Sequence, residues 1–326
     1  MKKVLIGFII AAVMMAANSA QAVTVFKKGG FTYKIGGDWQ IQLRQDPGFD
    51  QDMDVEYDDL EIKNSVSYKI NDNLTAFGKL DFGFKNAADK PDSDADPHLE
   101  EAVLGFKIQD VKVFFGKTDS AGDEFGVAAT YETIVADDCF DEFGEVSGDD
   151  LIGMSGKFGG MFEVYATYEI EAESEKSDGN GSFFDIFVAA SFEGFTLGGA
   201  YQVVDPQGDG DDEITTYGIQ ASYDAGFAEF GVDYSTTEYE DNDYEPSIWN
   251  VAVSIPVKPV TIALGYVNLD NDDMKEDVAG WYLNATYKFP TAKNVSIFAE
   301  ISDSDYERAD GEETDMGYMV GMRIKF

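Results

Sequence analysis

The sequence predicts an all-β protein, a transmembrane antiparallel β-barrel of about sixteen strands. Three observations support this prediction. Segments of about ten residues alternate apolar and polar side chains, as strands between two different media do. The connections between these segments are alternately short and long, and the long ones are rich in Asp, Glu, Gly, Asn and Ser. The chain also begins with the features of an export signal.

Residues 1–22 form the predicted secretory signal peptide. Two lysines open it, an apolar run extends from Val4 to Ala17, and Ala20 and Ala22 form a small-x-small cleavage pattern. The apolar run is too short for a spanning helix, which needs about 18 or more apolar residues. We therefore expect a cleaved signal followed by residues 23–326 as a single outer-membrane barrel domain. The alternative, a retained N-terminal helix, is disfavoured by this pattern.

The first part of the mature chain consists of predicted hairpins. Each segment places bulky apolar groups on one face and polar or charged groups on the other. Tight turns are predicted at Asn71-Asp-Asn73 and at Gln109-Asp110. The predicted strands in this part are residues 31–44, 60–70, 74–85, 102–108 and 111–115.

After one long connection the same rhythm continues to the end of the chain. The predicted strands here are residues 151–158, 161–170, 183–192, 195–204, 214–223, 227–234, 247–255, 260–267, 278–289, 295–302 and 315–326. Single-chain bacterial barrels have an even number of strands, short periplasmic turns and long extracellular loops. The segregation of short and long connections therefore favours such a barrel over the alternative, a secreted soluble β-protein.

The last predicted strand alternates up to the final residue. Free chain ends usually fray unless something holds them, and a barrel holds its last strand by pairing it with its first. We therefore expect a closing strand that also serves as an assembly signal. The outward positions that define it are Tyr318, Met322, Ile324 and Phe326.

Charge and composition exclude several functions. Removing the signal and its two lysines changes the formal net charge from −40 to −42. Such a balance argues against binding nucleic acid or anionic lipid surfaces, and favours attraction of cations. His98 is the only histidine, and no nucleophile or orienting group accompanies it in a catalytic pattern, so we expect no enzyme.

The longest connection is acidic throughout. Residues 118–156 contain no Lys or Arg, but they mix many Asp and Glu with aromatic residues that could pack against a wall. We expect this third long loop to fold into the lumen, although an ordinary solvated loop is the alternative. The acids predicted to line the resulting pore constriction are Asp138, Glu142 and Glu145.

The basic residues are concentrated in the early strands. Of the 21 mature Lys and Arg residues, twelve lie between Lys27 and Lys117. Those on the polar face of each strand would form a basic wall opposite the acidic loop, and such opposed charges select ions by sign. The predicted basic side of the constriction is Arg44, Lys63 and Lys79. The alternative is that Lys63 and Lys79 simply pair with neighbouring acids of their own face.

Two segments resemble a known family. Phe114-Phe-Gly-Lys-Thr-Asp-Ser120 is similar to the strand end that leads into the third loop of the general trimeric porins of the Gram-negative outer membrane. Asp141-Glu-Phe-Gly144 is similar to that family's Pro-Glu-Phe-Gly-Gly-Asp segment, with Asp141 in place of the proline and Glu145 after the first glycine. The resemblance implies an inward third loop, a homotrimer and a location in the outer membrane of a Gram-negative bacterium.

These observations predict a passive, water-filled channel for ions and small hydrophilic solutes that prefers cations. Two alternatives remain open: a substrate-specific channel, and a plugged barrel that acts as a structural or surface-interaction protein. The expected partners are outer-membrane lipid, a second and third copy of the chain, small solutes and cations, but not nucleic acid. No cofactor or built metal site is predicted. Loose binding of divalent cations by aspartate-rich loops such as residues 205–213 is the most that the sequence suggests.

Overall fold

The computed structural model describes residues 22–48, 52–85, 97–132, 134–171, 181–206, 213–240, 243–271, 277–306 and 315–326. The predicted signal peptide lies outside these residues, apart from Ala22. The strands are β1 (Val23–Lys28), β2 (Phe31–Gln45), β3 (Asp54–Lys69), β4 (Leu74–Gly83), β5 (His98–Ile108), β6 (Val111–Asp119), β7 (Ser147–Phe158), β8 (Phe162–Glu169), β9 (Ser182–Phe192), β10 (Phe195–Asp205), β11 (Ile214–Asp224), β12 (Glu229–Tyr239), β13 (Ser247–Val257), β14 (Val260–Asp270), β15 (Val278–Phe289), β16 (Ala292–Ser304) and β17 (Gly317–Lys325). A 3₁₀-helix (Gly122–Glu124) and the short helix α1 (Cys139–Phe143) lie between β6 and β7.

Strands β2 to β17 form one closed antiparallel barrel of sixteen strands, as predicted. Each strand pairs with its neighbours in sequence, and β17 closes the barrel by pairing with β2. In that closing pair Tyr318 lies opposite Gln45 and Lys325 lies opposite Asp38. Closure leaves no free edge between the first and last strands, which a membrane-spanning sheet requires.

One additional short strand was not predicted. Strand β1 forms a hairpin with the first part of β2, where Val23 lies opposite Ile35. The end of β17 pairs with the next part of β2. There the Phe326 N–H donates to the Gly37 carbonyl (3.0 Å) and the Gly37 N–H donates to the Phe326 carbonyl (2.7 Å). β1 and β17 therefore lie end to end along one side of β2.

Gly37 permits this close approach. A Cβ atom at that position would lie 2.5 Å from the Phe326 ring and 2.7 Å from the Glu61 carbonyl oxygen. The Phe326 ring itself packs edge-on against Trp39, with 5.1 Å between ring centroids. The glycine that interrupts the alternation of β2 thus makes room for the end of the chain.

Alternation along each strand separates a lipid-facing surface from a polar interior. Trp39 and Ile41 of β2 are exposed on the outside, whereas Gln40 and Gln42 between them are only 1% exposed because they point inward. The same apolar exterior continues around the barrel, for example at Ile297 of β16. Among the described residues, no helix has the length and apolar character needed to cross a membrane.

Short and long connections lie at opposite ends of the barrel. Turns such as Gln109–Asp110, between β5 and β6, join strands at one end, while the long connections join them at the other. The longest, residues 120–146 between β6 and β7, is the third of the long loops and is called L3 below. L3 folds inward against the barrel wall, as the sequence predicted, and it determines the geometry of the pore.

Candidate pore constriction

L3 is held against the wall by acids that point inward from distant strands. Three L3 backbone N–H groups each donate to a buried carboxylate, and the wall residues come from β9, β12 and β16. The bonds are from Gly122 to Asp185 (2.7 Å), from Val127 to Asp233 (2.8 Å) and from Tyr131 to Glu300 (2.9 Å). Hydrogen bonds to charged acceptors are stronger than neutral ones, so these acids secure the loop.

Amide side chains on the same inner surface add further anchors. The bonds are from the Gly126 N–H to Gln220 (2.7 Å), from the Glu145 N–H to Gln202 (2.8 Å), from Asn250 to the Asp137 carbonyl (2.6 Å) and from Asn284 to the Ala129 carbonyl (2.7 Å). Phe125 and Phe140 of L3 also pack with Phe187 of β9 in a buried apolar cluster. L3 thus lies along the wall formed by β8 to β16 and leaves the opposite wall open.

The tip of L3 reaches across to the closing seam. Glu132 forms an ion pair with Arg44 of β2 at 2.9 Å, and Gln42 donates to the same carboxylate. Arg44 also contacts Asp46 and pairs with Glu56 at 3.0 Å. The structure therefore places Arg44 against the acidic loop, and its guanidinium is held by the three carboxylates of Asp46, Glu56 and Glu132.

Asp138 occupies a different place from the predicted one. Its side chain is 2% exposed and caps helix α1 by accepting hydrogen bonds from the Phe140 N–H (2.8 Å) and the Asp141 N–H (3.3 Å). A carboxylate at this position satisfies helix N–H groups that would otherwise lack partners. The Asp138 carboxylate is therefore enclosed within L3, and its predicted place in the constriction has no support from its burial.

Glu142 and Glu145 lie on the returning arm of L3, and both are exposed. The Glu145 backbone binds the wall, because its carbonyl accepts from Ser120 (2.9 Å) and from Gln202 (2.6 Å). Neither side chain lines the narrow cavity described next. Their role in the constriction stays a prediction.

A cavity of about 230 Å³ lies in the lumen between the start of L3 and the wall of β3 to β9. Its lining carries three ammonium groups, those of Lys63, Lys79 and Lys112. Its carboxylates are Glu61, Asp81, Glu100, Glu101, Asp119, Asp123, Glu124 and Glu163. Acids thus outnumber bases in the lining of this cavity.

Two of the three lysines are already paired. Lys63 contacts Glu61, and Lys79 lies 2.8 Å from Glu101, which also accepts from Thr118. The alternative of same-wall pairing therefore holds for both, although the partner of Lys79 is Glu101 on the next strand. These ion pairs reduce the positive charge that the wall presents to the acidic loop.

Asp123 and Glu124, in the 3₁₀-helix of L3, face this cavity. Burial in the narrow lumen and the nearby Asp119, Asp141 and Glu124 carboxylates raise the pKa of Asp123 to about 8. Burial and nearby carboxylates such as Glu163 raise the pKa of Glu124 to about 7. Both groups therefore change charge near neutral pH.

The only described group of side chains with metal-ligand spacing is Asp149, Asp150 and Glu169, whose carboxylate oxygens lie within 4.8 Å of one another. Glu169 accepts hydrogen bonds from the Asp150 N–H (3.1 Å) and the Asp149 N–H (3.3 Å), which already explains its orientation. The aspartate-rich loop at residues 205–213 lies mostly outside the described residues. Divalent binding by these loops stays a prediction.

Sequence reasoning missed both the cavity acids and the wall anchors. Asp119, Asp123 and Glu124 were within the acidic stretch, but nothing in its composition distinguishes the acids at its start from those on its returning arm. Asp185 and Asp233 could have been found, because each is a lone acid at an inward position in the middle of a strand. Burying such an acid is costly unless it has a partner, so its presence indicates one.

Comparison with known proteins agrees with this architecture. The sequence profile of the family described as Gram-negative porin matches residues 10–309. The chain is 28% identical over 226 residues to the outer membrane porin protein LC of Enterobacteria phage PA-2, covering 62% of this chain but only 58% of that relative. It is 26% identical over 314 residues to a monosaccharide porin of Halomonas, covering 89% of this chain and 76% of that relative.

A solved structure gives the same result for the fold. The trimer form of OmpT, an outer membrane protein of Vibrio cholerae, superposes with a TM-score of 0.73 at 19% sequence identity. The superposition covers 91% of this chain and 100% of that chain.

Proposed function

Since this chain belongs to the family of Gram-negative porins, we propose that it forms a water-filled channel for ions and small hydrophilic solutes that prefers cations. The family assignment confirms the predicted outer-membrane location, and porins are channels, not enzymes. The observation that supports cation preference is the narrow cavity, where eight carboxylates oppose three lysines. Negative potential in a narrow passage concentrates cations, and salt screens the effect.

Neutralising the cavity acids is expected to reduce cation preference. The triple variant Asp119→Asn, Asp123→Asn, Glu124→Gln removes carboxylates that line the cavity. The reversal potential of planar bilayers in a KCl gradient should then move toward zero at pH above about 9, where Asp123 and Glu124 are ionised in the parent. A reversal potential that favours anions in the unmodified protein would overturn the proposal.

A matched triple on the returning arm tests which acids matter. Asp141→Asn, Glu142→Gln, Glu145→Gln removes the same number of carboxylates from the other arm of L3. We expect a smaller change in reversal potential, because these side chains do not line the cavity. If this triple has the larger effect, the constriction lies where the sequence predicted it, and the assignment to the start of L3 is wrong.

Cation preference is expected to rise with pH through the neutral range. Asp123 and Glu124 have pKa values raised to about 8 and about 7, so they are mostly neutral below about pH 6 and ionised above about pH 9. A raised carboxyl pKa means that negative charge appears only as the pH increases through that value. Reversal potentials measured from acidic to alkaline pH should show this increase, and Asp123→Asn with Glu124→Gln should flatten it. An equal slope in the double variant would contradict the assignment.

A substrate-specific channel is the second candidate, and the name of the Halomonas relative supports it. Liposome swelling with monosaccharides separates the candidates. Swelling proportional to concentration supports general diffusion, saturation supports a specific channel, and no swelling supports a plugged barrel. We also propose a homotrimer, as in the trimer form of the Vibrio cholerae protein.

A further inference from the structure

Charge is divided along the axis of the pore. The eight short connections and their flanking strand ends are residues 27–34, 69–74, 107–112, 157–163, 193–194, 224–229, 257–260 and 288–293. These segments contain ten lysines and six acids, although the whole chain has a net charge of −40. Ten lysines minus six acids give the short-turn end a formal charge of +4, so the net negative charge of the chain lies outside these segments.

Four lysines at this end are available to ions in the lumen. Each is exposed, occupies an inward-facing strand position, and makes no ion pair with another described residue. They are Lys34 of β2, Lys107 of β5, Lys112 of β6 and Lys288 of β15, and Lys112 also borders the carboxylate-rich cavity. Lys107 and Lys112 lie directly opposite each other on paired strands, so two positive charges are held side by side.

Acids at the same end only partly offset this charge. Asp72 is paired with Lys69 at 2.7 Å and Glu163 with Lys157 at 3.1 Å. Glu229 is an inward-facing acid at the start of β12 without an ion pair among the described residues. Asp110 and Glu193 lie in turns and Asp224 ends β11. Ten lysines against six acids still give the inner mouth the opposite sign from the carboxylate-rich cavity.

We propose that the channel rectifies ionic current, passing more when the extracellular side is positive. This proposal rests on the proposed channel function. With that polarity, cations enter the acidic outer half and anions enter the basic inner half, and both move toward the constriction. The ion concentration inside the pore rises, and so does the conductance. The opposite polarity draws both kinds of ion out of the pore, and the conductance falls.

The effect requires charges that are not screened across the pore. The Debye length is about 30 Å at 0.01 M salt and about 3 Å at 1 M salt. In dilute KCl the current at equal and opposite voltages should therefore differ by about two-fold, and the ratio should approach one at 1 M.

The orientation of the channel in the bilayer is measured with the variant Thr291→Cys. Position 291 is an exposed turn residue at the short-turn end, so a membrane-impermeant thiol reagent modifies it only from that side. Cys139 is buried and does not compete for the reagent.

The quadruple variant Lys34→Gln, Lys107→Gln, Lys112→Gln, Lys288→Gln should conduct nearly linearly in dilute KCl and prefer cations more strongly. The control is Lys258→Gln with Lys293→Gln, because both are exposed lysines of the short-turn end that do not belong to the set of four. The control should still rectify.

The outcomes separate the two proposals. Linear current in dilute salt with normal conductance at 1 M overturns rectification and leaves the channel intact. Rectification that survives in the quadruple variant, or that has the opposite polarity, also overturns it. Absence of conductance at 1 M contradicts the channel function itself.

Discussion

Asp38→Ala is expected to cause the largest loss of barrel stability. Asp38 is 4% exposed and accepts from Arg323 Nε (2.8 Å) across the closing seam, and Lys325 Nζ lies 2.9 Å from the same carboxylate. Arg323 also pairs with Asp59 of β3 at 2.6 Å, so three strands are joined by one charge network. Removing one partner of a fully buried ion pair costs about 3–5 kcal/mol. The loss here should be below that range, because Arg323 and Lys325 are half-buried and Arg323 keeps its pair with Asp59.

The measurement is the temperature at which the folded band on a detergent gel converts to the unfolded band. Asp72→Ala is the matched control, because its ion pair with Lys69 has a similar length but lies on an exposed turn, where solvent screens the pair and little stability is lost. If both variants lower the transition equally, the seam network is not a special source of stability.

Mobility of unheated samples on the same gel tests the proposed homotrimer.

Glu300→Ala is expected to release the tip of L3 and to enlarge the pore. Glu300 is 4% exposed and accepts from the Tyr131 N–H, Thr130 Oγ1 and Asn284 Nδ2, each at 2.9 Å. Each partner left without an acceptor costs about 1–3 kcal/mol where it is buried. The stacking of Tyr131 on Phe298, with 4.0 Å between ring centroids, does not replace these bonds.

Single-channel conductance and liposome swelling measure the expected result, which is larger and noisier conductance with faster entry of small sugars. Glu300→Gln is the control, because it keeps the size of the side chain and one acceptor oxygen, and it should behave more like the parent. Unchanged conductance in a correctly folded Glu300→Ala protein would show that the other anchors suffice to hold the loop.

Much of the fold could be predicted because alternation with period two has only two possible phases. In β2 the apolar Trp39 and Ile41 can face only lipid, which places Gln40, Gln42 and Arg44 in the lumen. Each predicted strand corresponds to an observed one, but β1 was not predicted. All six residues of β1 are exposed, so its sequence does not alternate between buried and exposed positions. Strand ends differ by up to six residues, as at β3, which begins at Asp54 where the prediction began at residue 60.

The site was less predictable, because its contacts join residues that are distant in sequence. In the hydrogen bonds that hold L3, 63 residues of sequence separate Gly122 from Asp185, and 169 residues separate Tyr131 from Glu300. Only the closed barrel brings these groups together. Composition showed that L3 is acidic. It could not show that the Asp138 carboxylate caps helix α1 while Asp123 faces the cavity.

The sequence by itself therefore determined three things: the barrel, which end carries the long loops, and which face of each strand is polar. These depend on local periodicity, loop length and charge. The tertiary structure alone decided which charges are free. Lys63, Lys79 and Arg44 were all predicted to be inward, yet each is held by carboxylates, whereas Lys112 is not. Whether a lumen charge acts on a passing ion depends on the neighbours across the fold, and local sequence carries no information about those distances.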